Sequence, residues 1–314
     1  MAVRKMYQYY KQNHEVKMVD LGFSGYPHKR TEEIDAAEYD KVCVSNIFDI
    51  NKDRVTVINC DDVTFGGIGS NNPELKLPHE IEKTEPFYFP DEDTSYAFIT
   101  RGCIRKCWFC KVPKYEGALQ FYNRIEDVVK HKKVKFLDNN ILAYDKHMEV
   151  FQWCLEHPDI KVEFNQGLDF RLVNDENLEA LSNLNYMGEY IFAFDEPKYQ
   201  PLLDKKIVQI KKYIKAPRKV KFYIYIHPDM EISQLISRVE WCRKHECLPY
   251  VMRDIACWNA EEEMKNFLID YAAYCNQPSM FKKLTFEQFM KKRHRNMERI
   301  ETVLKFYEKE RENK

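Results

Sequence analysis

The sequence predicts an α/β fold whose main part is built on a parallel sheet. After residue 95, short runs of aromatic and β-branched residues alternate six times with longer segments of helical periodicity. In the first 70 residues the strand candidates are almost continuously apolar, as in sheets covered on both faces. Six strand–helix repeats imply parallel strands joined by right-handed crossovers.

The first 70 residues are predicted to form a small α/β unit of their own. A short helix over Val3–Asn13 begins it, and a turn at Gly66-Gly67 closes it. Between them lie three strand candidates: Val16–Leu21, Lys41–Ser45 and Val55–Cys60. Residues 71–95 are predicted to be a connector without regular structure, because acidic residues there alternate with Pro73, Pro78, Pro86 and Pro90.

Residues 96–280 are predicted to contain the six repeats. The strands are expected over Tyr96–Thr100, Val134–Asp138, Lys161–Asn165, Tyr190–Phe194, Val220–Ile226 and Pro249–Met252. The helices are expected over Asn123–Lys132, Asp145–His157, Asp175–Leu184, Tyr199–Ile214, Glu231–His245 and Asn259–Cys275. The fifth of these helices shows the 3.6-residue apolar period most clearly.

Residues 281–314 are predicted to form a charged helical tail. Between Lys282 and Arg295, six Lys or Arg residues stand against one Glu. With the apolar residues among them, this pattern is typical of a basic helix that contacts RNA or another anionic partner. The alternative is a solvated surface helix, which the following Glu-rich segment favours because it restores neutrality.

Composition excludes several classes of protein. The 314-residue chain has 44% apolar residues, enough for a sizeable core, and a net charge of −1 that favours neither nucleic acid nor membrane as a partner. No run approaches the ~18 apolar residues of a membrane span, and the first residues lack the apolar segment of a secretory signal. Ten cysteines in such a chain indicate a reducing compartment. We therefore expect a soluble cytoplasmic protein with no membrane partner.

The most informative motif is the cysteine loop, residues 103–110, which holds Cys103, Cys107 and Cys110. It follows the C-terminal end of a predicted strand, where α/β barrels place their chemistry. Three thiolates can hold three irons of a cubane cluster, and the next cysteine is Cys154, far along the chain. A zinc site, which would need a fourth ligand, and inert buried thiols are the alternatives. A disulfide is not expected without a secretory signal.

The spacing of these cysteines, with the aromatic Phe109 before the last of them, resembles the signature of the radical S-adenosylmethionine (SAM) superfamily. The resemblance implies a [4Fe–4S] cluster on the three thiolates and SAM bound at the fourth iron, with Phe109 in the cofactor-binding set. It implies an electron donor such as flavodoxin or ferredoxin, and a 5′-deoxyadenosyl radical that abstracts hydrogen from an unidentified substrate. It also implies that the six repeats form a partial (β/α)6 TIM-like barrel.

The first unit resembles the Rossmann-like domain that precedes the radical domain in the cobalamin-binding branch of this superfamily. The cobalt-ligating Asp-x-His-x-x-Gly motif of that branch is absent from the sequence. We therefore expect a small Rossmann-like unit without cobalamin, as a shortened relic or a substrate-recognition module.

The resemblance also implies SAM contacts at the end of the second predicted strand of the barrel. Asp138, Asn139 and Asn140 stand there, where the superfamily binds the SAM amino group. A carboxylate accepts hydrogen bonds from an ammonium, and an asparagine amide can donate or accept. The alternative is a loop start that caps the next helix.

Further SAM contacts are implied after the third strand, at Asn165, Gln166 and Arg171. The two amides are candidates for the ribose hydroxyls, and a guanidinium matches the SAM carboxylate bidentately. The alternative for Arg171 is a surface ion pair with Asp169.

Other polar or thiol groups carry less specific signals. Asp195 and His227 follow the fourth and fifth strands, as substrate-facing groups or as structural ones. The late cysteines match no auxiliary-cluster pattern, so we expect core packing for Cys242, Cys247, Cys257 and Cys275. Two further functions stay open: a zinc-stabilised nucleic-acid-binding protein and an Fe–S redox protein without SAM chemistry.

Overall fold

The computed structural model describes residues 1–23 and 30–313, and its backbone divides into two units. Unit 1 contains Met1–Asp93 and Lys106–Gly117, and unit 2 contains Thr94–Arg105 and Ala118–Lys314. The predicted connector lies in unit 1 except for Thr94 and Ser95, and the predicted tail lies in unit 2. The connector is held in unit 1 by a bidentate ion pair of Arg4 with Glu92, at 2.7 Å, and by packing of Tyr7 on Phe87.

Unit 1 is built from two pairs of parallel strands and three short helices. Its helices are α1 (Ala2–Tyr10), α2 (His79–Glu82) and α3 (Val112–Tyr115). Its strands are β1 (Glu32–Asp35), β2 (Val42–Ser45), β3 (Val55–Ile58) and β4 (Val63–Gly66). β1 pairs with β3, and β2 pairs with β4. Parallel pairing of this unit is as predicted.

Three details of unit 1 differ from the prediction. α2 lies in the connector, which was expected to have no regular structure. Residues 16–21 were expected to form a strand, but they make no sheet ladder and have no regular structure. β1 and β4 were not predicted, because one is mostly acidic and the other runs into the glycine turn. That turn is confirmed: Gly67 has a φ of 92°, and a Cβ there would lie 2.3 Å from the carbonyl oxygen of Asn46.

Unit 2 contains the strand–helix repeats. Its strands are β5 (Thr94–Ala97), β6 (Thr100–Arg101), β7 (Gln120–Phe121), β8 (Lys133–Phe136), β9 (Lys161–Phe164), β10 (Tyr190–Ala193), β11 (Val220–Ile226) and β12 (Leu248–Arg253). Its helices are α4 (Ile125–Val128), α5 (His147–Glu156), α6 (Asp175–Asn183), α7 (Gln200–Tyr213), α8 (Ile232–Lys244), α9 (Glu262–Cys275), α10 (Pro278–Lys283), α11 (Phe286–Arg293) and α12 (Met297–Glu312).

The long strands of unit 2 form two parallel sheets, β5-β8-β9 and β10-β11-β12. A parallel bridge between Leu168 and Phe192 links the segment after β9 to β10. The predicted α/β class with parallel strands is therefore confirmed. The first predicted strand is divided into β5 and β6, and β6 pairs with β7 in an antiparallel ladder.

Each long strand of unit 2 buries one face under its helices. Phe136 and Phe164 stack at 5.0 Å between ring centroids, and Phe192 packs against Phe222 at 5.9 Å. Their alternate neighbours point to the other face, where a few, among them Ile191 and Leu248, are buried and the others are half-buried or exposed. We call this second surface the open face, defined by Tyr96, Lys135, Glu163, Lys221, Tyr223 and Tyr250.

The C-terminal helices are part of the core of unit 2. α12 packs on α8 and α9, and α11 packs on α9. Their apolar residues are buried: Phe286, Phe289, Met290, Ile300 and Val303. The tail therefore combines a buried apolar side with the exposed cations that the sequence indicated.

No helix in the described parts of the chain combines the length and the apolar composition that a membrane span requires.

Candidate functional site

The cysteine loop begins at a backbone turn immediately after β6. Gly102 has a φ of 79°, a conformation that favours glycine, and Cys103 follows it. Cys103 belongs to unit 2, whereas Cys107 and Cys110 belong to unit 1. The backbone N–H of Cys110 donates to the carbonyl oxygen of Cys107 at 3.0 Å, which closes a turn between these two thiols.

The donor set of the loop fits an iron–sulfur cluster in its chemistry. All three cysteines are half-buried, and no disulfide joins any of the ten cysteines in the chain. No set of three or more His, Cys, Asp or Glu side chains in residues 1–23 and 30–313 is already arranged around a metal position. The three-thiolate ligand set therefore stays a prediction from the spacing of the motif.

Asp138 lies at the end of β8 and holds the backbone that leads into the cysteine loop. Its carboxylate accepts hydrogen bonds from the N–H groups of Ile99 at 3.1 Å and Thr100 at 2.5 Å. The hydroxyl of Thr100 donates to it as well, at 2.7 Å. Burial raises the pKa of Asp138 to about 6, although these hydrogen bonds oppose the shift. The structure thus gives Asp138 a role in shaping the loop, and SAM contact by this residue stays a prediction.

Asn140, two residues further, is buried next to the first cysteine. Its amide Nδ2 donates to Asp169 Oδ2 at 3.3 Å and lies 3.9 Å from Cys103 Sγ. Its amide Oδ1 is buried without a hydrogen-bond partner. The side chain does not cap the 3₁₀ turn Ile141–Ala143 that follows it. Asn139, between the two buried residues, is half-buried.

Asp169 lies after β9 and forms ion pairs with two arginines. Arg171 binds it through Nε at 2.6 Å and through a terminal nitrogen at 3.0 Å. Arg105, a residue of the cysteine loop, binds it through Nε at 2.8 Å. Burial raises the pKa of Asp169, but the hydrogen bonds and charges of the two arginines outweigh this effect and hold the pKa below its usual value.

The ion pair between Asp169 and Arg171, which the sequence left as the alternative to SAM binding, is therefore present in a buried setting. Asn165 is half-buried, and its carbonyl oxygen accepts from the hydroxyl of Tyr223 at 3.1 Å. Gln166 is exposed and Phe109 is half-buried, with its ring 5.6 Å from that of Trp108. Cofactor contact by these residues stays a prediction.

A second polar group lies at the ends of β10 to β12. Asp195 accepts from the backbone N–H of Tyr225 at 2.9 Å, and burial raises its pKa to about 6. The hydroxyl of Tyr225 donates to Asp254 at 2.7 Å, and His227 lies 4.0 Å from the same carboxylate. The fully buried Arg238 donates to the carbonyl oxygen of Phe194, just after β10, and to that of Tyr225, near the end of β11. This group organises the strand ends.

The late cysteines lie in the core, as predicted. Burial raises the pKa of Cys247 to about 12 and of Cys257 to about 11, and it raises the pKa of Cys242 and Cys275 well above the usual value. These thiols therefore stay protonated at neutral pH.

Sequence reasoning missed Arg105 and the bridging role of Asp169. The sequence features that could have indicated them are the position of Arg105 inside the cysteine motif and the position of Asp169 just after a strand. Neither position reveals by itself that the two side chains meet.

Comparison with known proteins gives one relevant similarity. No family model matches the chain. Over 178 residues it is 23% identical to the tRNA-2-methylthio-N(6)-dimethylallyladenosine synthase of Sulfurihydrogenibium sp. (strain YO3AOP1), a radical SAM enzyme. The match covers 46% of this chain and 40% of that relative's length. The resemblance to the radical SAM superfamily, first indicated by the cysteine loop, is thereby confirmed as a distant similarity to one of its enzymes.

Proposed function

We propose that the protein is a radical SAM enzyme that abstracts hydrogen from its substrate. Cys103, Cys107 and Cys110 would hold a [4Fe–4S] cluster. When bound, the cluster and SAM supply the 5′-deoxyadenosyl radical. We further propose that the six parallel strands of unit 2 form a partial TIM-like barrel. The enzyme would work in the cytoplasm with flavodoxin or ferredoxin as electron donor, and without cobalamin.

The observation that carries this proposal is the unpartnered amide oxygen of Asn140, a side chain whose amide nitrogen lies 3.9 Å from Cys103 Sγ. A buried acceptor without a donor is destabilising by about 1–3 kcal/mol, so a bound donor at this position would relieve it. The amino group of SAM is such a donor. Asn140 would therefore bind the amino group, with Asn139 beside it, and Arg171 would orient the carboxylate.

The open face supports a substrate site in the same unit. Parallel sheets are usually covered on both faces, yet this face keeps half-buried tyrosines and ion pairs. Lys135 pairs with Glu163 at 3.4 Å, and Lys221 pairs with Glu189 at 2.9 Å. The rings of Tyr223 and Tyr250 lie 5.4 Å apart on it. Such a surface can bind a ligand through aromatic packing and charged hydrogen bonds.

RNA is the first substrate class to test. The name of the relative assigns it a modified adenosine of tRNA as product. In this chain, Lys282, Lys283 and Lys292 are exposed along α10 and α11 and could contact phosphate groups, whereas Lys291 between them pairs with Glu287 at 2.6 Å.

The test is anaerobic reconstitution followed by metal analysis and SAM turnover. We expect about four irons per chain, no zinc, and release of 5′-deoxyadenosine from SAM under a reductant. Cys110→Ala should lose the iron. Cys154→Ala, which removes a buried thiol outside the loop, should retain it.

Three results would contradict the proposal in different ways. One zinc per chain without SAM turnover supports the zinc-stabilised protein. A cluster whose EPR signal does not respond to SAM supports the redox protein. A Cys110→Ala protein that keeps its full iron content excludes the cysteine loop as the ligand set. If turnover is found, deuterium transfer from candidate substrates, RNA first, into 5′-deoxyadenosine identifies the substrate.

A further inference from the structure

Two N–H groups of unit 2 lie near the sulfur of Cys103, and one carboxylate binds the residues that carry them. Its Sγ accepts from the backbone N–H of Arg105 at 3.4 Å, within the loop itself. The Asn140 amide, from the end of β8, lies 3.9 Å away, within reach of a hydrogen bond to sulfur. Asp169, from the segment after β9, binds both Asn140 and Arg105 through one oxygen, Oδ2. One carboxylate oxygen therefore links the two residues that donate N–H groups to this sulfur.

The orientation of the Asn140 amide follows from this link. An ionised carboxylate only accepts hydrogen bonds, so the amide nitrogen, not the oxygen, must face Asp169. The same nitrogen is the atom that lies near Cys103 Sγ. Rotating the amide by half a turn would place Oδ1 against both the carboxylate and the sulfur, and both contacts would be repulsive. Asp169 thus determines that an N–H group faces the sulfur.

The charges of the group act in the same direction. Two arginines and one aspartate leave one net positive charge next to Cys103. The carboxylate and the amide are shielded from water, because the side chain of Asp169 is only 4% exposed and Asn140 is buried, whereas the two arginines are partly exposed. Positive charge and N–H donors stabilise electron-rich sulfur more than electron-poor sulfur.

We propose that Asn140 is a positioning residue that raises the reduction potential of the cluster through its N–H group at Cys103, and that Asp169 fixes it in this orientation. This inference rests on the proposed function, since it requires a cluster on the cysteine loop. It adds an electronic role to Asn140, separate from SAM binding and measurable without SAM.

The test is the midpoint potential of the reconstituted protein without SAM, followed by the EPR signal of the reduced cluster. Asn140→Leu keeps the number and branching of the side-chain heavy atoms and removes the donor, so the potential should become more negative. We expect a change of up to about tenfold in the reduction equilibrium constant, about 59 mV for one electron. Asn140→Asp places an acceptor against the sulfur and should shift the potential further in the same direction.

The matched control is Asn183→Asp, on the exposed surface of α6, which introduces the same charge outside this group. It should leave the potential unchanged. If Asn140→Leu holds no iron, the comparison of Asn140→Ser with Asn140→Ala tests whether a donor at this position matters. The serine and alanine side chains are similar in size, and only serine offers a donor. We then expect more iron and a less negative potential in the serine variant.

Outcomes that overturn the inference are separable from failure of the proposed function. Wild-type potentials in both Asn140→Leu and Asn140→Asp, or equal iron and potential in the serine and alanine variants, overturn only the role of Asn140. A wild-type protein that binds no cluster overturns the proposed function, and this inference with it.

Discussion

The two units use the same parallel strands but bury them to different extents. In unit 2, the strands and helices bury many large side chains almost completely, among them Phe136, Phe192 and Phe222. In unit 1, no strand residue is fully buried, and α1 buries none of its side chains. The reason is the length of the covering helices: α5 to α9 have nine to fourteen residues, whereas α2 and α3 have four. Parallel strands without covering helices contribute little hydrophobic stabilisation.

α6, with nine residues, also belongs to the helices that cover unit 2, and its N-terminus is well defined. Asn174 and Asn177 form a reciprocal capping box there, with backbone-to-side-chain hydrogen bonds of 2.8 and 2.9 Å. Unit 2 therefore contributes most of the free energy of folding.

The largest expected effect breaks the core of unit 2. Phe136→Ala should lower the free energy of unfolding by about 3–5 kcal/mol, because a fully buried ring leaves a cavity. Phe65→Ala in β4 is the matched change in unit 1 and should lower it by about 1–2 kcal/mol, because that ring is only half-buried. Urea denaturation followed by circular dichroism measures both. Equal losses would contradict the contrast between the units.

A second prediction concerns the attachment of the C-terminal helices in unit 2. The fully buried Asp270 of α9 accepts hydrogen bonds from Arg293 at 2.9 Å, His294 at 2.9 Å and Arg299 at 3.0 Å. Asp270→Asn should lower the free energy of unfolding by about 3–4 kcal/mol, because two partly exposed arginines lose the buried carboxylate that they share.

The control for this prediction is Glu287→Gln, which removes an exposed ion pair with Lys291 one helical turn away. It should change the same free energy by at most about 0.5 kcal/mol. A similar small value for Asp270→Asn would show that the C-terminal helices do not depend on this carboxylate.

The smallest effect is a dependence of stability on pH that comes from unit 2. The pKa of Asp138 is raised from 3.8 to about 6 by burial, so the folded state binds its proton more tightly than the unfolded chain does. This contribution is fully present below the unfolded pKa and is lost as the pH rises through about 6. A shift of this size corresponds to about 3 kcal/mol. Denaturation series between about pH 4 and pH 7 should show the loss.

Asp138→Asn should flatten this dependence in part, since the pKa of Asp195 is raised to about 6 in the same way. Asp35 of unit 1 is the contrasting carboxylate. Its exposed side chain has a lowered pKa because Asn59 donates a hydrogen bond to it, so its effect has the opposite sign. Asp35→Asn should therefore not remove the loss of stability that occurs as the pH rises through about 6. An unchanged slope in Asp138→Asn would show that this carboxylate is not the source.

The sequence predicted unit 2 better than unit 1, for a physical reason. α5 to α9 agree with the predicted helices within a few residues, because amphipathic periodicity over nine or more residues is a strong signal. The strands of unit 1 have four residues each, as do β8 and β9 of unit 2, but in unit 2 a long helix follows each strand and marks its position. Unit 1 lacks such helices after its strands, so the expected strand over residues 16–21 was wrong, and β1 and β4 were missed. The first strand of unit 2 was predicted as continuous, and its division depends on Asp138, which holds Ile99 and Thr100 from another strand.

The sequence by itself determined the α/β class, the order of the main strands and helices of unit 2, and the cysteine spacing that resembles the radical SAM superfamily. These features depend on local periodicity and on neighbours along the chain. Only the tertiary structure decided which of the consecutive polar residues after β8 reaches Cys103, and that Asp169 joins Arg105 to Arg171. Adjacent residues point in different directions, and partners 29 or 64 positions apart meet only when parallel strands align their ends.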